Sequence, residues 1–112
     1  MRAIFKMNFD CGRQGNLTGT FVDFTERVNA LKEKQIEVYF GEVLGKHSEV
    51  YGPLNDDEIT IVSTDEKDIE NFERLELESG YNPFEFTYFG MGTVELESID
   101  DETVGELLDR IL

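Results

Sequence analysis

The chain has 112 residues, 39% of them apolar and nine of them Phe, and carries 25 acidic against 10 basic side chains for a formal net charge of −15. That length suits one domain, and the apolar fraction supports a packed core, so wholesale disorder is a poor description despite the charge. No stretch reaches the ~20 apolar residues of a membrane-spanning helix, Met1 to Lys6 is not expected to be a signal peptide, and a single cysteine builds neither a disulfide framework nor a thiolate metal site.

Ala3, Phe5, Met7 and Phe9 alternate with Ile4, Lys6, Asn8 and Asp10, which predicts a half-buried strand. Cys11 to Asn16 is turn chemistry, and Leu17 to Phe24 returns as the second strand of a hairpin. Thr25 is expected to cap a short helix ending near Gln35, with Val28 and Leu31 facing the core. Asp23 with Glu26 offers an alternative capping box. Ile36 to Phe40 reads as a third strand. Glu58 to Thr64 reads as a fourth, with Ile59 and Ile61 on one face and Thr60 and Val62 on the other. Between them, Gly41 to Asp57 either extends these strands into a long hairpin or forms a loop beyond the usual limit of about 12–15 residues, and such loops tend to be functional.

Ser63 or Thr64 is expected to cap a second helix from Asp65 to about Leu77, Ser63 and Glu66 having capping-box spacing. Ile69, Phe72 and Leu75 form its apolar stripe, and Gly80 should stop it. Asn82-Pro83 marks a turn. Phe84 to Phe89 predicts an aromatic strand with Phe84, Phe86 and Tyr88 on one face, and Thr93 to Leu96 continues it or forms a further strand. Asp100 should cap the last helix, Ile99 stapling onto Val104, with Val104, Leu107, Leu108 and Ile111 buried. The order of elements predicts an α+β fold over residues 1–112: a small single domain with a mainly antiparallel sheet of about four to six strands and two or three helices on one face.

Charge is distributed unevenly. Residues 1–35 carry six bases and four acids, whereas residues 36–112 carry four bases and 21 acids. Asp65, Glu66, Asp68, Glu70, Glu73, Glu76 and Glu78 place seven carboxylates on the second predicted helix, a span of about 21 Å at 1.5 Å per residue. After allowance for Lys67 and Arg74, one net charge falls every ~4 Å, close to the ~3.4 Å per phosphate of a DNA strand. That density suits a protein that occupies the nucleic-acid groove of a basic partner protein. It also suits a solvated helix face with favourable acids in its first turn.

The candidate partner-binding residues are therefore Asp65, Glu66, Asp68, Glu70, Glu73 and Glu76. Tyr51 and Tyr88 are expected to serve as apolar anchors, because aromatics are enriched at the buried centres of interfaces. Direct binding of nucleic acid is disfavoured for want of a cationic face, no membrane partner is expected, and a homo-oligomer is compatible with the composition. The expected location is the cytoplasm.

Gly41 to Pro53 holds His47, the only histidine, near Glu42 and Glu49. A histidine oriented by a carboxylate can act as a general base, so His47 with Glu49 forms an alternative ligand or catalytic site. Ser48 is badly placed as its nucleophile, since neighbours on an extended chain point to opposite faces. Gly12-Arg13-Gln14-Gly15 joins two predicted strands and reads as a hairpin turn. No calcium loop, Walker motif, dinucleotide fingerprint, HExxH or CxxC run is present, so neither a cofactor nor a metal is expected, nor catalysis.

In its small size, acidity and lack of catalytic motifs the chain is similar to phage-encoded inhibitors of host defence, among them nucleic-acid mimics that block restriction enzymes or CRISPR effectors. The likeness implies a non-enzymatic protein acting by steric blockade in the host cytoplasm, and it transfers no residues. Expectations from other classes are a small-molecule-binding protein or enzyme built on Gly41 to Pro53, and a phage structural or assembly subunit.

Overall fold

The computed structural model describes residues 1–10, 15–41, 50–88 and 103–112. Among them are seven strands in two antiparallel sheets and three α-helices, an α+β fold. The expected single sheet is thus two sheets, one in each of two compact units. The first unit comprises Met1–Asn29 and Asp56–Asn82, the second Ala30–Asn55 and Pro83–Leu112.

In the first unit, β1 (Arg2–Asp10) and β2 (Asn16–Phe24) form the expected hairpin, in register from Arg2 opposite Phe24 to Asp10 opposite Asn16. Strand β5 (Ile59–Ser63) adds to β1, and the short β6 (Ser79–Gly80) adds to β2, giving the order β5-β1-β2-β6. Ala3, Phe5 and Met7 share one face with Leu17 and Phe21, and all are buried; the rings of Phe5 and Phe21 stack with centroids 6.0 Å apart. The opposite face is covered as well. Ile4 and Val22 lie directly opposite each other there, packed against Ile69 and Phe72 of helix α2 (Glu66–Arg74). Ile4 occupies the phase that simple alternation marks as polar, and its burial under a helix is the reason for an apolar residue at that position. Each such fully buried side chain contributes ~1.5–3 kcal/mol relative to exposure.

Two local features shape this sheet. Gly19 faces β6 so closely that a Cβ there would overlap the Tyr81 carbonyl, and one on Gly80 (φ 69°) would overlap that of Thr18. On the other edge, Ile4 pairs with Ser63 but Phe5 pairs with Ile61, so Val62 is the extra residue of a bulge. Ile59 and Ile61 lie on one face as expected, opposite Met7 and Phe5, but only Ile59 is buried, and Ile61 and Val62 are both more than half exposed at this edge.

The cap of α2 is Asp65, not Ser63 or Thr64. Its carboxylate accepts hydrogen bonds from the backbone N–H groups of Lys67 (2.8 Å) and Asp68 (3.2 Å). The Ser63 hydroxyl accepts from the Asp65 N–H at 3.1 Å and donates to the Asp68 carboxylate at 2.6 Å. Three successive residues of capping type compete here, and the one adjacent to the first helical residue holds the position. The helix ends at Arg74, three residues short of the expected Leu77, and Leu75 is its exposed C-cap.

Helix α1 (Thr25–Glu33) carries the chain from the first unit to the second, with Val28 and Leu31 buried as expected. Glu26 accepts from the α-amino group of Met1 (2.8 Å), and Asp23 pairs with Arg27 one turn on.

In the second unit, β3 (Val38–Gly41) is flanked by β4 (Val50–Gly52) and β7 (Thr87–Tyr88). The expected aromatic strand from Phe84 is interrupted: Pro83–Glu85 forms a 3₁₀ turn, closed by the Phe86 N–H on the Pro83 carbonyl (3.3 Å), and only Thr87 and Tyr88 pair with β3. Proline presets the φ value of such a turn. Phe86 packs its ring 4.8 Å from that of Phe40. Helix α3 (Val104–Ile111) buries Val104, Leu107 and Leu108. Thr103, not Asp100, caps it through a complete capping box with Glu106. Cys11 to Gln14, Glu42 to Glu49 and the further strand expected at Thr93 to Leu96 lie outside the described residues, as do Ile99 and Asp100. Among the described residues no helix is long and apolar enough to cross a membrane.

Candidate functional site

At one end of the β1–β2 hairpin, Arg2 and Phe24 face each other on the side that α2 covers, with Val22 two residues further along β2 on the same face. Together with Phe72 and Glu73 on α2, Glu76 and Glu78 beyond it, and Asp23 and Arg27, they line a groove of about 460 Å³. That volume lies within the ~300–1,000 Å³ of ligand pockets. Phe72 forms a buried wall, while Phe24 leaves about half of its surface (49%) exposed. The groove thus combines apolar ring surface with four carboxylates and two guanidiniums.

The two guanidiniums are already matched. The Arg2 Nη1 donates to Glu73 Oε1 at 2.9 Å, an ion pair that spans 71 residues and ties β1 to α2. Arg27 Nε lies 2.9 Å from Asp23 Oδ1, and both side chains are largely shielded from solvent. The remaining carboxylates, Glu76 and Glu78, meet no cation among the described residues; Glu78 accepts one hydrogen bond from the Asn82 amide at 3.3 Å.

Glu76 occupies an unusual backbone position. The Leu77 N–H bonds back to Phe72 O (3.0 Å) and the Glu76 N–H to Glu73 O (3.2 Å), which together make a Schellman ending with Glu76 in the left-handed region at φ 52°. Glycine is the usual residue there, since a Cβ in this conformation costs roughly 1–2 kcal/mol. Helix α1 ends in the same way at Gln35 (φ 50°), but the Gln35 side-chain amide donates to the Lys32 carbonyl at 2.8 Å, adding a second hydrogen bond to the one from the Gln35 backbone N–H. A glutamate carboxylate has no proton to donate. It also sets a negative charge at the negative end of the helix dipole.

The structure places the sequence-predicted acids differently from a straight ladder. Glu66, Glu70 and Glu73 are spaced i, i+4, i+7 along one exposed flank of α2, and Asp68 projects from the opposite flank toward Ser63. Asp65 is occupied as the cap, and Glu76 follows the helix in the groove. The seven carboxylates therefore do not share one rod, because the helix is nine residues, about 13 Å. No hydrogen bond or ion pair to a described residue holds Glu66 or Glu70.

The two tyrosines belong to the second unit. Tyr51 lies opposite Tyr39 in the sheet and is 48% exposed; Tyr88 is only 7% exposed and is a core residue rather than a surface anchor. His47 and Glu49 lie outside the described residues. Among the described residues no three His, Cys, Asp or Glu side chains are placed to hold a metal ion. The Glu26 carboxyl is held below its ordinary pKa of 4.5, chiefly by the hydrogen bond from the α-amino group. Sequence reasoning missed Arg2, Val22, Phe24, Arg27 and Phe72 as a group, although Ile4 in a polar phase was a sign that a helix covers this side of the sheet. No family model, curated protein or solved structure matches this chain.

Proposed function

We propose that this chain is a non-enzymatic binding protein that docks its acidic surface on a basic face of a partner protein and blocks a groove the partner uses for nucleic acid. Its character fits an inhibitor encoded by a phage or mobile element and directed at a defence protein. The observation that carries the reading is the exposed flank of Glu66, Glu70 and Glu73 on a chain of net charge −15, with Glu66 and Glu70 engaged by no described residue. Opposite potentials steer such an encounter and make its rate fall with salt.

The test is capture from host lysate at low and high salt, followed by inhibition of nucleic-acid binding by the purified partner. Wild-type chain should retain a basic nucleic-acid-binding protein at low salt and displace its nucleic acid. The double variant Glu66→Lys, Glu70→Lys should remain folded by circular dichroism and lose both effects by about tenfold or more. Equal capture and inhibition by the variant would refute the proposal.

A further inference from the structure

We infer that the groove between α2 and the β1–β2 hairpin seats an arginine side chain of the basic partner, an inference that rests on the docking reading above. The lining selects this occupant in three ways. Glu76 and Glu78 offer carboxylates that no described cation neutralises, so a cation is favoured and an anion is repelled. The half-exposed Phe24 and the adjacent Phe72 give ring surface on which a planar guanidinium can stack, which a compact, strongly hydrated ammonium does less well. Arg2 and Arg27 do not compete for these groups, because their partners are Glu73 and Asp23.

The consequence is a division of labour. Glu66 and Glu70 on the exposed flank attract the partner at long range, and the groove reads one side chain at contact. A guanidinium entering between Glu76 and Glu78 has the forked donor geometry that carboxylates accept, while its alkyl stem covers Val22 and Phe24. Buried arginines of this kind are common interface hot spots.

The experiment is an NMR titration of the ¹⁵N-labelled full chain with the peptide acetyl-Gly-Gly-Arg-Gly-Gly-amide, its Lys and citrulline analogues, and free L-arginine. Saturable shifts at Phe24, Glu76, Leu77 and Glu78 are expected with the Arg peptide. The Lys peptide should bind about fivefold or more weakly, and the uncharged citrulline peptide should produce no saturable shift. Glu76→Gln with Glu78→Gln should weaken the Arg peptide by about tenfold, and Phe24→Ala should also weaken it. Equal Arg and Lys binding, or shifts confined to the Glu66–Glu70 flank, would overturn the groove inference while leaving the docking proposal standing. Tighter binding of free arginine than of the peptide would overturn it in favour of a small-molecule site. Conversely, arginine binding in the groove combined with undiminished partner capture by the Glu66→Lys, Glu70→Lys variant would sink the docking proposal alone.

Discussion

Replacing Glu76 by glycine should stabilise the fold, even though it removes a side chain and adds none. Three effects set the size of the change. Release of the left-handed strain contributes roughly 1–2 kcal/mol, and removal of a carboxylate from the negative end of α2 adds roughly 0.3–1 kcal/mol at low salt. Against these, the unfolded chain gains freedom at a new glycine, which costs about 0.5–1 kcal/mol. The net expectation is a gain of about 1 kcal/mol, or about 4 °C in melting temperature for a chain of this length. Urea unfolding followed by circular dichroism should show a higher midpoint with an unchanged slope. Glu76→Gln keeps the strain and removes only the charge, so it should recover only the electrostatic part of the gain, and that part should vanish at high salt. A lower or unchanged midpoint for Glu76→Gly would refute the backbone argument. So would a Glu76→Gln variant as stable as the glycine. The same substitution should cost affinity for the Arg peptide, since it trades stability against a groove carboxylate.

Other changes follow from single contacts. Gly19→Ala should disrupt the pairing of β2 with β6, because the new methyl group meets the Tyr81 backbone rather than a mobile side chain; hydrogen exchange at the Tyr81 amide, which bonds to Thr18 O at 3.0 Å, should accelerate more than exchange in the β1–β2 ladder. Thr103→Ala removes the hydroxyl that accepts from the Glu106 N–H at 3.1 Å and should cost about 1 kcal/mol in the same urea assay. The Glu26 carboxyl, with its folded pKa lowered, should titrate by ¹³C NMR below 4.5. Its contribution is present above the ordinary glutamate pKa and is lost as pH falls through the lowered value. Acetylation of the α-amino group should return the midpoint toward 4.5.

The elements that were legible in the sequence are those whose signal is periodic and local. The alternation of Ala3, Phe5 and Met7 and the i, i+3, i+4 spacing of Val104, Leu107 and Leu108 report buried faces directly, and both faces are buried, although α3 is capped at Thr103 rather than Asp100 and leaves Ile111 only partly buried. Capping residues were misplaced where candidates crowd together: Ser63, Thr64 and Asp65 can each accept a helix N–H, and spacing alone does not rank them. Glycine is the usual stop signal and points to Gly80 for α2, but the left-handed turn comes four residues earlier on a glutamate, against propensity. Strand order was illegible for a different reason. Whether Val50–Gly52 pairs with β3 or β5 is a non-local choice that no periodicity encodes, and the division into two sheets depends on it. The groove is assembled in the same non-local way, from the β1–β2 register and the docking of Ile69 and Phe72. Neither Arg2 nor Phe24 carries a sign of it in its own neighbourhood.

The carboxylates that would attract a basic partner also act against the fold that carries them, and salt separates the two roles. At a net charge of −15 the folded chain repels itself, and compaction raises that energy relative to the open chain. Screening by added salt shortens the reach of every exposed charge to about 10 Å at 0.1 M and about 3 Å at 1 M. Stability should therefore rise with sodium chloride over this range. The rate of association with the partner should fall over the same range, because steering across the Glu66–Glu70 flank depends on the same unscreened field. Sulfate should be avoided in the comparison, since it strengthens apolar burial as well as screening charge. If stability instead falls as salt rises, attractive pairs such as Arg2–Glu73 and Asp23–Arg27 outweigh the repulsion, and the acidic surplus imposes no net strain on the fold. A rise in stability with an unchanged association rate would place the recognition surface somewhere other than on the exposed acids.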